Sequence, residues 1–430
     1  MGLIKNVKPG RVIVLGFLLV ILIGTALLML PISINEGVKV SFVDALFTST
    51  SAVCVTGLIA IDTADTFTVF GRAVVALLIQ IGGLGVTSVG VGFILLMRKK
   101  VGIKERTLVK EAMNLDSLKG VVKLVKSILF FTLFFEGIGI ILSYITFSKD
   151  YNPFDALGIS VFHSIAAFNN SGFDILGGLR NLIPYQSDVL LNLTTCGLII
   201  FGGLGFLVIR EIIEKKSFKK FSLHTKTVIV TTTILLISGT ILLKLTEDIT
   251  WLGAFFFSTS ARTAGFSTYP LGTFTSAGLF VLVILMFIGA SPGSTGGGIK
   301  TTTIFTLYKS IYSTSTNTHC VAFKRKIPSC VILKAFNITL LALLVVCTGT
   351  FTLSILEPNF TFIQILVEVT SAFGTVGLST GITPNLCDLS KIIISLIMFI
   401  GRLGPMTIAT IWYFTEPSNA YYSEEAVIIG

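Results

Sequence analysis

Residues 362–380 read FIQILVEVTSAFGTVGLST: an aromatic start, a short helix rich in small and hydroxyl side chains, and a turn at Gly377. A helix needs about 20 apolar residues to cross a bilayer, so this segment is too short to do so. The same plan recurs in FVDALFTSTSAVCVTGLIAID (42–62), PFDALGISVFHSIAAFNNSGFD (153–174) and WLGAFFFSTSARTAGFST (251–268), with turns at Gly57, Gly172 and Gly265. Long apolar stretches flank each segment, which indicates a fourfold internal repeat.

The composition places these repeats in a membrane. The chain is 53% hydrophobic and only 13% charged, whereas soluble domains carry about 25% charged residues. We therefore predict an all-α membrane protein of four consecutive helix–pore loop–helix repeats. Eight transmembrane helices and four re-entrant pore helices would surround a central ion pore, with repeats at residues 1–100, 101–220, 221–320 and 321–430.

The net charge of +10 does not indicate a nucleic-acid partner, because the basic residues are clustered between the apolar spans. By the positive-inside rule these loops are cytoplasmic, which puts both termini inside and lets the short segments enter from outside. Contact with lipid headgroups then explains the charge. The clusters are Lys5, Lys8 and Arg11; Arg98, Lys99 and Lys100; Lys215, Lys216, Lys219 and Lys220; and Lys324, Arg325 and Lys326.

The four turns fit a cation site in which backbone carbonyl oxygens are the ligands. Irregular backbone at membrane depth must be buried in protein or line water, and four turns around one axis meet that condition together. A ring of carbonyls replaces the water shell of an alkali ion without any charged side chain. The predicted filter residues are Val55, Thr56, Gly57, Asn170, Ser171, Gly172, Thr263, Ala264, Gly265, Thr375, Val376 and Gly377.

A second glycine patch follows each turn, as IGGLG, FGGLG, IGASPG and IGRLG. In three of these patches we interpret the glycines as sites of close helix packing, which is their usual role in membrane proteins. The third patch is longer, GASPGSTGGGIKTTT (289–303), and resembles a phosphate-binding loop, but Ile299 separates its last glycine from Lys300. Since glycine costs about 1 kcal/mol and proline about 3 kcal/mol in a helix, we predict an irregular segment here.

Several ionisable residues fall inside apolar stretches. Arg402 lies near mid-membrane, where an arginine costs about 3 kcal/mol, so it either faces an aqueous cavity or is tied to helix-end carbonyls. Lys300 is either a snorkelling cation or a latch. For Glu136 we predict a structural pairing, for Asp44 a place at a helix N-terminus, and for His163 a packing role.

The motifs SAVCVTGL, NNSGFD, ARTAGFST and SAFGTVGLSTG together resemble the pore loops of the Trk/Ktr/HKT superfamily of potassium transporters. Within it, the chain is similar to the membrane subunit of Ktr (NtpJ-like) type, over essentially its whole length. The resemblance implies potassium uptake through a selectivity filter, possible sodium dependence, and no enzymatic activity. In this family a serine in place of the first-turn glycine accompanies sodium selectivity, so Gly57 implies potassium.

The resemblance also assigns roles outside the filter. It makes the third glycine patch a movable gate, with Gly289, Ser291, Pro292, Gly293, Gly296, Gly297, Gly298 and Lys300 as gate residues. Arg402 becomes an electrostatic barrier in the pore. It further implies a homodimer on a cytoplasmic ring of nucleotide-binding RCK-type subunits, contacted by the basic loops and the C-terminal EEAVIIG. No cofactor is expected on this chain, whose substrate would be K⁺.

Two alternatives stay open at this stage. An alternating-access symporter would have inverted repeats, whereas the four basic clusters indicate one common orientation. An ion-conducting subunit of a larger cation pump shares the repeat plan, but such a relative is longer.

Overall fold

The computed structural model describes residues 9–113, 117–413 and 425. The described part is mostly helical, with one two-stranded antiparallel hairpin. Its helices and strands are α1 (Pro9–Leu28), α2 (Phe42–Val53), α3 (Thr63–Thr66), α4 (Val69–Leu84), α5 (Val86–Leu96), α6 (Ile103–Ala112), α7 (Val121–Phe147), α8 (Pro153–Phe168), α9 (Val189–Leu204), α10 (Phe206–Lys215), α11 (Leu223–Thr246), α12 (Trp251–Ser260), α13 (Ser276–Phe287), α14 (Thr301–Ser315), β1 (Val321–Ala322), β2 (Arg325–Lys326), α15 (Ser329–Leu356), α16 (Phe362–Gly374), α17 (Asp388–Leu403) and α18 (Pro405–Tyr413).

Four helices within the described ranges are long and apolar enough to cross a membrane: α1, α7, α11 and α15. The number rises to six if each of two bent pairs is one span, since α4 meets α5 at 101° and α9 meets α10 at 94°. The bends fall at Gly85 and Gly205, whose φ angles of 82° and 90° favour glycine. These spans make the chain a multi-pass membrane protein.

The short helices α2, α8, α12 and α16 contain fully buried side chains, whereas the long helices expose apolar side chains. Phe47 of α2 and Phe373 of α16 are fully buried, whereas Phe130 and Leu133 of α7 are 65% and 71% exposed. Large exposed apolar surfaces mark contact with a partner or a membrane. This distribution of exposed apolar side chains fits short helices that are surrounded by protein and long helices that face lipid.

Three of the four short helices, α2, α12 and α16, begin where side chains cap their N-termini. Ser41 Oγ accepts from Asp44 N at 3.0 Å at the start of α2, and Thr250 Oγ1 accepts from Gly253 N at 3.1 Å at the start of α12. Thr361 and Gln364 form a capping box at the start of α16. Each cap satisfies backbone donors that the first helical turn leaves free.

The contacts of the short helices form a closed cycle. Helix α2 packs against α1 and α4, α8 against α7 and α9, α12 against α11, and α16 against α15 and α17. Each short helix also contacts a helix from another part of the chain: α8 touches α4, α12 touches α9, α16 touches α13, and α2 touches α17. The last pair joins the two ends of the sequence.

A partly buried ion pair fastens that last contact. Lys391 Nζ of α17 lies 2.7 Å from Asp44 Oδ1 of α2, and the two side chains are 9% and 18% exposed. Asp44 lies in the first turn of α2, as the sequence predicts, and Ser41 Oγ donates to its Oδ2 at 2.8 Å. The carboxylate therefore also has a bonding role that its sequence position does not reveal.

We predict that Lys391→Met lowers the unfolding temperature of the protein in detergent by several degrees. It leaves Asp44 without its cation, and removing one partner of a buried ion pair costs about 3–5 kcal/mol. The matched control is Lys149→Met, because Lys149 is 63% exposed and its Nζ lies 3.7 Å from Asp188. Exposed pairs contribute about 0–1 kcal/mol, so equal effects of the two changes would contradict the role given to the Asp44 contact.

Candidate functional site

The four predicted turns share one backbone conformation. In each, a left-handed residue stands two places before a left-handed glycine. The φ angles are 58° and 85° for Val55 and Gly57, 58° and 69° for Asn170 and Gly172, 84° and 80° for Thr263 and Gly265, and 50° and 97° for Thr375 and Gly377. Positive φ is a true outlier for β-branched residues, so three of the four turns hold strained backbone of the kind that clusters at functional sites.

The turns lie against one another in a cycle. A Cβ atom added to Gly57 would overlap the Ser171 carbonyl, and one on Gly172 would lie 2.6 Å from the Ala264 oxygen. In the same way Gly265 faces the Val376 carbonyl, and Gly377 faces that of Thr56. The structure thus brings together all twelve residues that the sequence predicts for the filter, and all but Gly377 are buried.

In three of the turns a serine side chain bonds to the glycine or to the residue directly after it. Ser51 Oγ accepts from Gly57 N at 3.0 Å and donates to Leu58 O at 2.8 Å, and Ser371 Oγ accepts from Gly377 N at 3.0 Å. Ser260 Oγ donates to Phe266 O at 2.6 Å. This role was not predicted, although a Ser-Ala pair precedes each of these three turns in the sequence.

A buried arginine was also missed. Arg262 directly precedes Thr263, is 6% exposed, and has no hydrogen-bond partner for Nε in the part of the chain that the structure describes. The signal was an arginine inside an apolar segment, which marks a functional position in membrane proteins by default.

Two cavities adjoin these elements. The smaller, about 300 Å³, is lined by Gly57, Gly265 and Gly377 together with Asp174. The larger, about 770 Å³, is lined by Gly83 at the end of α4, by Pro292, Gly293, Ser294, Gly296 and Lys300, and by Arg402.

The segment between α13 and α14 is irregular, as the sequence predicts, but shorter at its end. It covers residues 288–300, since Thr303 N and Ile304 N already donate to Lys300 O and so place Thr301, Thr302 and Thr303 in α14. Gly293 and Gly298 have φ angles of 70° and 66°.

Residues 288–300 contact two turns and the end of α9. Gly297 N donates to Thr375 Oγ1 at 3.0 Å, and a Cβ on Gly296 would overlap Thr263 Oγ1. Ser291 N donates to Gly203 O at 3.1 Å. The predicted gate residues thus lie beside the third and fourth turns, with Gly289 close to the Gly297 carbonyl.

Two cations hold this segment in place. Arg402 donates to Thr295 O and Gly82 O, and to Gly83 O at 3.2 Å, so it joins α17 to residues 288–300 and to the last turn of α4. Lys300 Nζ donates to Gly296 O at 2.7 Å and Gly297 O at 3.3 Å, so its ammonium group bonds to carbonyls of its own segment. The latch role stays a prediction. Both side chains also line the larger cavity. Arg402 therefore lies at a cavity and also bonds to helix-end carbonyls, the two environments that the sequence predicts for it.

Two further buried ionisable residues for which the sequence predicts a role, Glu136 and His163, have structural partners. Glu136 Oε1 accepts from Asn169 Nδ2 at 3.1 Å, and that amide also donates to Gln80 Oε1 at 2.9 Å. His163 Nε2 lies 2.9 Å from Thr195 Oγ1, and its ring meets Phe266 edge to face. Both observations agree with the packing and pairing roles that the sequence predicts.

Comparison with known proteins defines the class of the chain. The model of the TrkH family, described as "Cation transport protein", matches residues 10–251 and 244–424. The chain therefore belongs to the TrkH family, and membership confirms that it is a transport protein and not an enzyme.

Individual relatives match along nearly the whole length. The chain is 39% identical to Ktr system potassium uptake protein B of Bacillus subtilis, over 98% of this chain and 97% of that protein. It is 37% identical to the potassium/sodium uptake protein NtpJ of Enterococcus hirae, over 99% and 98%. Among solved structures, the potassium transporter TrkH from Vibrio parahaemolyticus matches with a TM-score of 0.75 at 19% identity, over 96% of this chain and 87% of that one, which shows the shared fold.

We predict that Gly172→Ala lowers both stability and transport. The added methyl group would meet the Ala264 carbonyl at 2.6 Å, and left-handed backbone costs a non-glycine residue about 1–2 kcal/mol. Thermal unfolding and cation uptake of the purified protein test this. Gly158→Ala is the control, since a Cβ there meets nothing within 4 Å; if both variants behave alike, Gly172 has no special role.

Proposed function

We propose that this chain forms the pore of a potassium uptake system. The single observation that carries the proposal is the cycle in which each turn glycine faces a carbonyl of the next turn, from Gly57 round to Gly377. Four turns joined in this way, with every residue supplying backbone oxygens, form a filter for a dehydrated alkali ion. The names of the relatives, which specify potassium or potassium and sodium, support K⁺ as the substrate.

The proposed architecture is four helix–pore loop–helix repeats around this filter, at residues 1–100, 101–220, 221–320 and 321–430. The long helices α1, α7, α11 and α15 each open a repeat, and α2, α8, α12 and α16 are its pore helices. The returning spans are α4 with α5, α9 with α10, α13 with α14, and α17 with α18, which gives eight transmembrane segments. The cyclic contacts of the pore helices support this arrangement.

The filter works through oxygen atoms alone. None of its twelve residues carries a charged side chain, and carbonyl oxygens suit hard cations such as K⁺. The pore helices end at the turns, so their C-terminal dipoles favour a cation there. Gly57 in the first turn favours potassium over sodium.

Residues 288–300 form the proposed gate. Several of them line the larger cavity, and two touch the third and fourth turns, which supports a position beside the ion path. Opening breaks the hydrogen bonds from Arg402 and Lys300 to the gate carbonyls, and a hydrogen bond from a charged group contributes about 1.5–3 kcal/mol. A guanidinium beside the path also raises the barrier to cations while the gate is closed.

The proposed setting is the cytoplasmic membrane, with both termini and the basic loops inside. The protein would be a homodimer on a cytoplasmic ring of nucleotide-binding RCK-type subunits, and it would carry no cofactor itself. The relatives named as proteins B and D of a Ktr system support a separate subunit. Of the proposed contact surfaces, the C-terminal EEAVIIG lies outside the described residues apart from Glu425.

The first test is rubidium uptake into proteoliposomes with sodium as competitor, comparing the wild type with Gly57→Ser. The serine meets both the positive φ of 85° and the Ser171 carbonyl, so it distorts the first turn. We expect the preference for Rb⁺ over Na⁺ to fall about tenfold, equivalent to about 1.4 kcal/mol.

The control for this test is Gly197→Ser, on a helix position with open space. An unchanged ion preference in folded Gly57→Ser protein would remove the first turn from the filter. Uptake that requires an added energy source would favour the pump-subunit alternative.

The second test is deletion of residues 293–298. It removes the carbonyls of Thr295, Gly296 and Gly297 that Arg402 and Lys300 hold, so we expect faster Rb⁺ flux at unchanged ion preference. Flux and Na⁺ competition are measured in the same proteoliposomes. A deletion variant that folds but conducts no faster contradicts the gate.

A further inference from the structure

The fourth pore helix contains a carboxylate that the mechanism above does not use. Glu368 of α16 is 0% exposed and stands nine residues before Gly377. Ser379 Oγ donates to its Oε2 at 2.8 Å, and Thr383 Oγ1 donates to its Oε1. Both donors belong to the segment that follows the filter glycine.

These bonds extend further into that segment. Gly381 N donates to Ser379 Oγ at 3.0 Å, and the hydroxyls of Ser379 and Thr383 are 3.0 Å apart. Gly377, Ser379, Gly381 and Thr383 all line the smaller cavity. One buried carboxylate therefore holds one wall of the cavity that adjoins the proposed filter.

The hydroxyl groups are what make this burial tolerable. A buried carboxylate is costly unless it is paired or hydrogen-bonded. Across residues 9–113, 117–413 and 425, no lysine, arginine or histidine lies within 4.0 Å of its oxygens. Loss of either hydroxyl bond would leave a charged oxygen buried without a partner, so the segment is held firmly.

The other three turns lack this bond. Counting back from the serines that support the glycines, and from Ala166 in the second turn, the equivalent residues are Thr48, His163 and Phe257. Thr48 Oγ1 donates to Asp44 O in its own helix, and His163 bonds to Thr195 on α9. Phe257 packs beside Tyr269 with ring centroids 6.3 Å apart. None of the three forms a hydrogen bond to the segment after its own glycine within the described residues.

We propose that Glu368 is a positioning residue for ion selectivity. It fixes residues 377–383 through Ser379 and Thr383 and thereby holds the fourth turn at the spacing that favours K⁺ over Na⁺. The inference rests on the proposed filter and adds an unequal contribution of the four turns. The fourth is braced by a carboxylate on its own pore helix, whereas the carboxylate near the second turn, Asp174, follows the turn glycine and accepts from Asn181 Nδ2 at 3.1 Å.

The test is Glu368→Gln in the Rb⁺ uptake assay with Na⁺ competition. The amide keeps the shape but replaces one accepting oxygen by a donor, so one of the two hydroxyls loses its acceptor on residue 368. We expect the preference for Rb⁺ over Na⁺ to fall about tenfold while the protein elutes as a folded species. Glu357→Gln is the matched control, since Glu357 is 8% exposed and accepts from Cys387 N at 2.7 Å, away from the turns.

The same interaction is tested from the other side with Ser379→Ala combined with Thr383→Val. This pair removes both donors without touching Glu368, and it serves if Glu368→Gln does not fold. The ion preference should fall by a similar factor, and combining all three changes should add little, because residues of one network are not additive.

The outcomes separate this inference from the proposed function. If the wild type prefers Rb⁺ and Gly57→Ser erodes that preference while the Glu368 and hydroxyl variants keep it, the positioning role is wrong and the filter stands. Equal loss of Rb⁺ and Na⁺ flux in these variants, at an unchanged ratio, also overturns it, because that result reflects a purely structural role. If the wild type shows no preference, the filter and this inference both fail.

Discussion

The structure depends on one constraint: non-helical backbone at membrane depth has to be enclosed by protein. Each of the four turns meets it by placing its glycine against a carbonyl of the next turn, as Gly57 does with Ser171 and Gly377 with Thr56. No turn can satisfy this alone, so the pore helices pack in a cycle. The strained left-handed residues, such as Val55 and Thr375, persist because their neighbours leave them no room to relax.

The third glycine patch differs from the other three. Helices α4, α9 and α17 continue through their glycine patches to Leu84, Leu204 and Leu403, whereas α13 stops at Phe287 and leaves thirteen irregular residues before α14. Those residues are fastened by Arg402 from α17 and by Lys300, the last residue of the segment itself. Hydrogen bonds to α9 and to the fourth turn also hold this segment, and Ala290 and Ile299 are its buried apolar side chains.

Local backbone requirements were readable from the sequence, and long-range partners were not. The turn glycines follow from the need for positive φ, and the irregular segment follows from Pro292 and its glycines. The extension of that segment to Thr303 was wrong, because threonine disfavours helix only weakly and bonds to the Lys300 carbonyl outweigh it. The hydrogen bond from Arg402 to the Gly82 carbonyl joins residues 320 positions apart, and no local sequence pattern predicts such a contact.

The ion pair between Asp44 and Lys391 has a consequence for how the protein is made. Its partners are 347 residues apart, and they join the first pore helix to the last returning helix. During synthesis, α2 therefore enters the membrane long before the surface that covers its open flank exists. The assembly of the ring is complete only when α17 arrives, and until then the chain exposes polar backbone that a membrane cannot satisfy. In the biogenesis of this protein the cycle of short helices thus closes late, when α17 reaches α2.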